Sequence, residues 1–300
     1  MFATFKNNNI YYKLLLLTAA IIWGSSFVVI KNTLYSLPPA FIMSIRFSIA
    51  FIVLFITFFK KLKLINKKIF LNGSIIGFFM ALSYFYQNYG LIYTTPAKNA
   101  FLTTSYCVIV PFLFWILGKA RPTINNILAA AFCVTGIGLI SLNEHFAIQR
   151  GDYYTLLGGF FVAVQIVLFT IYSTKSDLML ISVVQFGTGA MFSLLLHFIY
   201  ETPVNISAIS SNSYLELLYL AFFCTLITMM FQNIGLKYIM PNQASLILSL
   251  ESVFAIIFSI LFFGEKPSLQ MYLGFIAIFL SVLISETKLK FGFKSGRFIK

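Results

Sequence analysis

Glu251 stands near the middle of a long apolar run, ten residues after Pro241 and twelve before Phe263. An ionised carboxylate at the centre of a bilayer costs about 2.5–3.5 kcal/mol or more unless it is paired, hydrated or protonated, so its position alone makes it a functional candidate. Removal from water favours the protonated form of a carboxyl, which suits proton coupling. Kept charged, the same group accepts a substrate ammonium; a third use is structural, a hydrogen bond that locks the bundle. Arg46 lies about two turns into the second apolar run and is expected to snorkel outward, placing its guanidinium at the interface. The alternative is pairing with Glu251 or with a substrate carboxylate, which would make a site for an amino-acid zwitterion.

The remaining candidates suggest binding without bond-making. Trp23, Ser25 and Ser26 fall near the middle of the first run, with Gly24 allowing close backbone approach. Tyr84, Gln87 and Asn88 follow a spacing of three to four in the third run, Tyr106 lies in the fourth, Gln165 and Tyr172 in the sixth, and Gln232 and Asn233 in the eighth. Small residues also serve helix packing, and buried amides also act as interhelical glue worth about 0.6–2 kcal/mol. No set of residues suggests catalysis, so no enzyme is expected. His145 and His197 lie at connectors without zinc spacing, and Cys107, Cys133 and Cys224 lie within apolar runs and suggest small buried hydrophobes. There is no glycine-rich phosphate loop, which argues against ATP-driven pumping, and neither metal nor cofactor is expected.

Positioning these residues requires a membrane bundle. The chain is 60% hydrophobic and 10% charged over 300 residues, whereas soluble domains carry about 25% charged residues. A membrane helix needs about 20 mostly apolar residues. Ten windows meet that need, at 14–34, 39–59, 71–93, 97–117, 124–142, 153–173, 178–199, 214–236, 241–263 and 269–286. The first continues past the length of a signal-peptide core and is read as an uncleaved helix. Prolines mark the connectors, except Pro111, which predicts a kink inside the fourth window. The net charge of +13 comes from connectors and ends and not from one amphipathic face, so no nucleic-acid partner is expected. With the N-terminus inside, sixteen Lys and Arg fall on the cytoplasmic side and four (Lys31, Lys98, Arg150 and Lys266) outside. By the positive-inside rule both termini are then cytoplasmic.

An internal echo organises the windows. Gln87-Asn88-Tyr89-Gly90-Leu91 returns as Gln232-Asn233-Ile234-Gly235-Leu236 at an offset of 145, and Val108/Val253, Pro122/Pro267, Leu128/Leu273 and Tyr106/Glu251 keep the same offset. Five helices per copy, an odd number, insert the second copy upside down, which is a common construction of secondary transporters. The expected fold is therefore an all-α integral membrane protein of ten transmembrane helices in two inverted five-helix repeats, residues 1–147 and 148–300, joined near Asn143 to Asp152. Inversion puts Gln87 and Asn88 in the outer half of the bilayer and Gln232 and Asn233 in the inner half, as if lining opposite gates.

Trp23-Gly24-Ser25-Ser26-Phe27-Val28, Tyr106-Cys107-Val108-Ile109-Val110-Pro111, Gly151-Asp152, Leu250-Glu251-Ser252-Val253-Phe254-Ala255 and Gly264-Glu265 together resemble the EamA-type drug/metabolite transporters. The resemblance implies the same ten-helix inverted fold, a central cavity lined by helices 1, 3, 4, 6, 8 and 9, and export of amino acids, related metabolites, nucleosides or drugs. The chain departs from that pattern in two places. Gly118-Lys119-Ala120-Arg121 replaces a frequent Gly-Glu pair, and Ser252 stands where many relatives have proline, which predicts a straighter ninth helix. The function expected is a secondary transporter of the plasma or inner membrane that exports a small metabolite, an amino acid first of all, by alternating access around a midplane site. The expected partners are the substrate, the bilayer and a coupling proton, in a monomer or weak dimer. The rival functions are drug or nucleoside efflux, an intramembrane lipid-modifying enzyme, and a receptor without transport.

Overall fold

The computed structural model describes residues 10–117, 121–141, 149–174 and 176–286; the expected join of the two halves lies largely outside them. Without water to satisfy the backbone, apolar runs in a membrane must bond internally, and helices do so within one segment. The helices are α1 Ile10–Thr33, α2 Pro39–Thr57, α3 Lys67–Ile92, α4 Pro96–Thr103, α5 Tyr106–Ile116, α6 Ile124–Ser141 and α7 Arg150–Ser173. They continue as α8 Leu178–Tyr200, α9 Ser211–Ala221, α10 Thr228–Tyr238, α11 Pro241–Ser249, α12 Glu251–Phe263 and α13 Leu269–Glu286. A π-helical turn, Phe222–Ile227, joins α9 to α10.

Eight stretches among the described residues are long and apolar enough to cross a membrane, with α4–α5, α9–α10 and most of α11–α12 each counting as one. The protein is a multi-pass membrane protein. The fifth and tenth expected windows hold shorter apolar stretches, Ile124–Ile140 and Leu269–Ser281, in helices that pack on each other. Pro39, Pro96 and Pro241 open their helices, where a missing N–H costs nothing. Asn66 caps α3 by accepting from the Ile69 N–H at 2.9 Å, and Gly264 closes α12 with φ of 60°.

The backbone is irregular at two places that no proline marks. The fourth span is interrupted at Thr104–Ser105, and the helix runs on unbroken through Pro111. The ninth span, expected to be straighter, is interrupted at Leu250. These positions are related by the offset of 145, and the second has no proline at the equivalent of Pro111, so proline is not the common cause. Hydroxyls are. Thr103 and Thr104 donate to Asn99 O and Phe101 O at 2.9 and 2.8 Å, and Ser249 and Ser252 donate to Leu246 O and Ser249 O at 2.7 and 2.8 Å. Such back-bonding competes for helical carbonyls and bends helices. The ladder tightens to i−3 bonds at both places, from Ser105 N to Leu102 O and from Leu250 N to Ile247 O, each at 3.3 Å.

One end of the bundle is latched by buried polar groups. Glu201, just past α8, accepts from Ala40 N at 2.7 Å and Phe41 N at 3.0 Å at the start of α2, and is 2.9 Å from His197 Nδ1. Glu265 accepts from Thr95 Oγ1, Ser259 Oγ and Ala97 N, and so holds the start of α4. Glu216 accepts from Asn32 Nδ2 and Thr33 Oγ1 at the end of α1. Lys98 pairs with Asp152 at 2.9 Å, and Lys31 Nζ donates to Leu91 O at 2.8 Å and Thr94 O at 3.0 Å. At the other end the described ion pair is Lys61 with Asp177, 3.9 Å apart and exposed.

Glycines close the seams between helices. A Cβ on Gly24 would lie 2.4 Å from Phe254 Cβ, and one on Gly158 would lie 2.9 Å from the Gln87 nitrogen, so α1 meets α12, and α7 meets α3, almost backbone to backbone. Gly24→Ala is therefore expected to destabilise the protein by about 1–3 kcal/mol, the usual cost of overpacking, read as a lower melting temperature in detergent. An unchanged melting point would show that this seam has slack.

Candidate functional site

The two interruptions face each other across a central cavity. Its wall takes Trp23, Ser26, Phe27 and Ile30 from α1, Ser83, Tyr84 and Gln87 from α3, and Thr103 and Tyr106 from α4 and α5. Val162 and Gln165 of α7, Met229 and Gln232 of α10, and Glu251 of α12 complete it. These are the spans the resemblance implied. The cavity measures about 40 Å³ to the centres of water-sized spheres, and one bound water needs roughly 10–15 Å³ on that measure. It has room for a few waters and must widen to admit a metabolite.

Its chemistry is that of a polar stripe on an aromatic wall. Glu251 opens α12 directly after the interruption at Leu250. The Tyr106 hydroxyl shares the wall with the Glu251 carboxyl and is buried without a hydrogen-bond partner. Gln87 Nε2 donates to Thr103 Oγ1 at 3.2 Å, and the Tyr84 hydroxyl donates to Met229 Sδ at 3.6 Å. Gln165 Nε2 and Gln232 Oε1 are buried without a protein partner, leaving one donor and one acceptor for a ligand. The Trp23 Nε1–H is spent on Cys224 O at 2.9 Å, so Trp23 offers the cavity its apolar ring.

Of the residues singled out by sequence, Trp23, Ser26, Tyr84, Gln87, Tyr106, Gln165, Gln232 and Glu251 line this cavity. Ser25, Asn88 and Asn233 do not. Ser25 Oγ lies 2.6 Å from the Tyr219 hydroxyl, facing an apolar groove between α1, α9 and α12. Asn233 Nδ2 donates to Ser182 Oγ and Gln185 Oε1 on α8, at 2.9 and 3.1 Å, and Asn88 is wholly buried away from the cavity. Gln87 and Gln232, expected at opposite gates, reach the same cavity. Three pairs separated by 145 residues meet there: Tyr84 with Met229, Gln87 with Gln232, and Tyr106 with Glu251.

Sequence reasoning missed Phe27, Ile30, Ser83, Thr103, Val162 and Met229. The signal was present, because each lies three, four or seven residues from a chosen residue and so shares its helical face. Arg46 corrects a further expectation. It does not snorkel: it is 0% exposed, with Nε donating to Thr225 Oγ1 at 2.8 Å, Nη2 donating to Cys224 O at 3.4 Å, and its guanidinium 4.9 Å from the Tyr84 ring centre. The π-helical turn explains the difference. Thr225 Oγ1 bonds back to Leu220 O at 2.8 Å, and the irregular backbone turns a hydroxyl and a carbonyl toward α2, which packs against this turn.

The sequence model of the EamA-like transporter family matches residues 11–142 and 149–287. An uncharacterized transporter of Archaeoglobus fulgidus is 32% identical over 278 residues, covering 92% of this chain and 85% of its own. The uncharacterized transporter YyaM of Bacillus subtilis is 24% identical over 293 residues, 94% of each chain. A solved crystal structure superposes with a TM-score of 0.70 at 15% identity, covering 92% of this chain and 97% of the other, a likeness of fold alone.

The two tryptophans separate the cavity wall from the lipid face. Trp23→Phe removes the bond to Cys224 O and should lower stability by about 1–2 kcal/mol. Trp115, half exposed, should tolerate Phe within about 0.5 kcal/mol. Thermal denaturation of both variants beside wild type checks this, and equal shifts would mean the Trp23 bond contributes nothing.

Proposed function

Because the chain belongs to the EamA-like transporter family, we propose that it is a secondary transporter of the cell membrane that exports small metabolites, amino acids first among them, by alternating access. The observation that carries this reading is the central cavity, where a carboxyl, a phenol and two unpartnered amide atoms meet on an aromatic wall. Such a wall suits a solute with a charged or strongly polar head and an apolar body.

Helix packing supports two inverted repeats. Exchanging the halves turns the α3–α7 contact into α1–α10 and the α1–α12 contact into that of α7 with α4 and α5, while α2–α8 and α6–α13 map onto themselves. In this reading residues 145 apart touch only near the twofold axis that relates the repeats, and the contact of Tyr84 with Met229 supports a cavity close to it. By the distribution of Lys and Arg the latched end is the external one, with both termini cytoplasmic. This conformation is closed to the outside, and export requires the carboxylates at that end to release their helix termini before the solute can leave. Proton binding at Glu251 provides the coupling in this reading.

Counterflow in proteoliposomes loaded with pooled unlabelled amino acids, following each labelled one, tests the proposal. Wild type is expected to show saturable exchange, and Glu251→Gln to lose at least about tenfold of it, or about 1.4 kcal/mol. Folded wild-type protein that exchanges no amino acid would refute the amino-acid reading and turn the search to nucleosides and cationic drugs.

A further inference from the structure

Two buried ionisable groups, Arg46 and Glu251, lie on either side of Tyr84. Arg46 has five N–H donors, and its protein acceptors are Thr225 Oγ1 and one long contact to Cys224 O; Nη1 has none. Among the described residues no carboxylate lies within ion-pair distance of Arg46, and no Lys, Arg or His lies within that distance of Glu251. The Tyr84 ring covers the guanidinium, and Tyr84 and Glu251 line the same cavity. Holding the π-helical turn needs only a donor, which a neutral amide supplies. A permanent charge in the apolar core is costly without an anion, so the guanidinium asks for more than the turn provides. A planar fork of this kind matches a carboxylate with two parallel hydrogen bonds.

Resting on the transport reading above, we propose that the solute carries a carboxylate, that Arg46 receives it once the Tyr84 ring swings aside, and that Glu251 receives the solute's ammonium. The cavity then binds a small zwitterion, whose carboxylate pairs with a guanidinium that lacks a counter-ion and whose ammonium pairs with the carboxylate that Glu251 becomes on losing its proton. The apolar faces of Trp23 and Phe27 are left for the side chain. An amine without the carboxylate, or an amide in its place, leaves the guanidinium buried and unpaired. Sites built around a polar partner reject such analogues strongly.

The test uses proteoliposomes and whichever amino acid shows counterflow, with its carboxamide and its decarboxylated amine as competitors. In wild type both analogues are expected to compete about tenfold or more weakly than the parent acid. Arg46→Gln should bring that ratio close to one, and Arg46→Lys should keep the preference for the acid with a raised KM. A purely structural arginine would change the melting temperature and the maximal rate and leave the ratio alone; a folded Arg46→Gln variant with the wild-type ratio overturns the proposal. Wild type decides the matter even where the variant does not fold, because an amine that competes as well as its acid also overturns it. Exchange without carboxylate preference defeats this inference alone, whereas absence of exchange with every amino acid defeats the transport reading and this inference together.

Discussion

Inside a bilayer no water completes a broken hydrogen bond, so every irregular turn and every charge must be satisfied by protein or by what the protein binds. The interruptions at Thr104–Ser105 and Leu250 are tolerated because serine and threonine hydroxyls accompany them, and because both face the cavity rather than lipid. The π-helical turn at Phe222–Ile227 is tolerated because Trp23 and Arg46 donate to its Cys224 carbonyl. Irregular backbone marks the places where helices must part, and all three places surround one site.

The same constraint divides the polar residues between two tasks. At the latched end, carboxylates are fully used: Glu201, Glu265 and Glu216 accept from helix termini, where N–H groups and hydroxyls would otherwise go unmatched. In the core, Glu251, Gln165 and Gln232 retain unspent capacity. A latch of many moderate bonds can be broken stepwise, whereas a core group with free valence has work only when a solute arrives. Glycine seams such as Gly24 against Phe254 bring the helices between these groups almost backbone to backbone.

Much of this was legible in the residues. Apolar runs gave the helices, because length and hydropathy decide that almost alone, and Glu251 identified itself by being ionisable where ions are costly. The polar residues chosen by helical spacing mostly share the cavity, but Ser25, Asn88 and Asn233 do not, since a helix periodicity names a face and not the neighbour that face meets. The interruptions at Thr104–Ser105 and Leu250 were not legible, because serine and threonine bonds to their own helix's carbonyls recur in unbroken helices as well. Arg46 was misplaced for a different reason. Snorkelling is a sound default for a cation near a span end, and only an irregular turn on another helix could supply it with buried acceptors.

On the two-repeat reading the frame is symmetric and the chemistry is not. Tyr106 answers to Glu251 and Tyr84 to Met229, while the position equivalent to Arg46 is Met191, exposed on the outer surface at 60%. A faithful copy would set two carboxylates in one dry cavity, and their repulsion would keep one of them protonated. Divergence removes that conflict and leaves Glu251 as the one carboxyl among the residues that line the cavity.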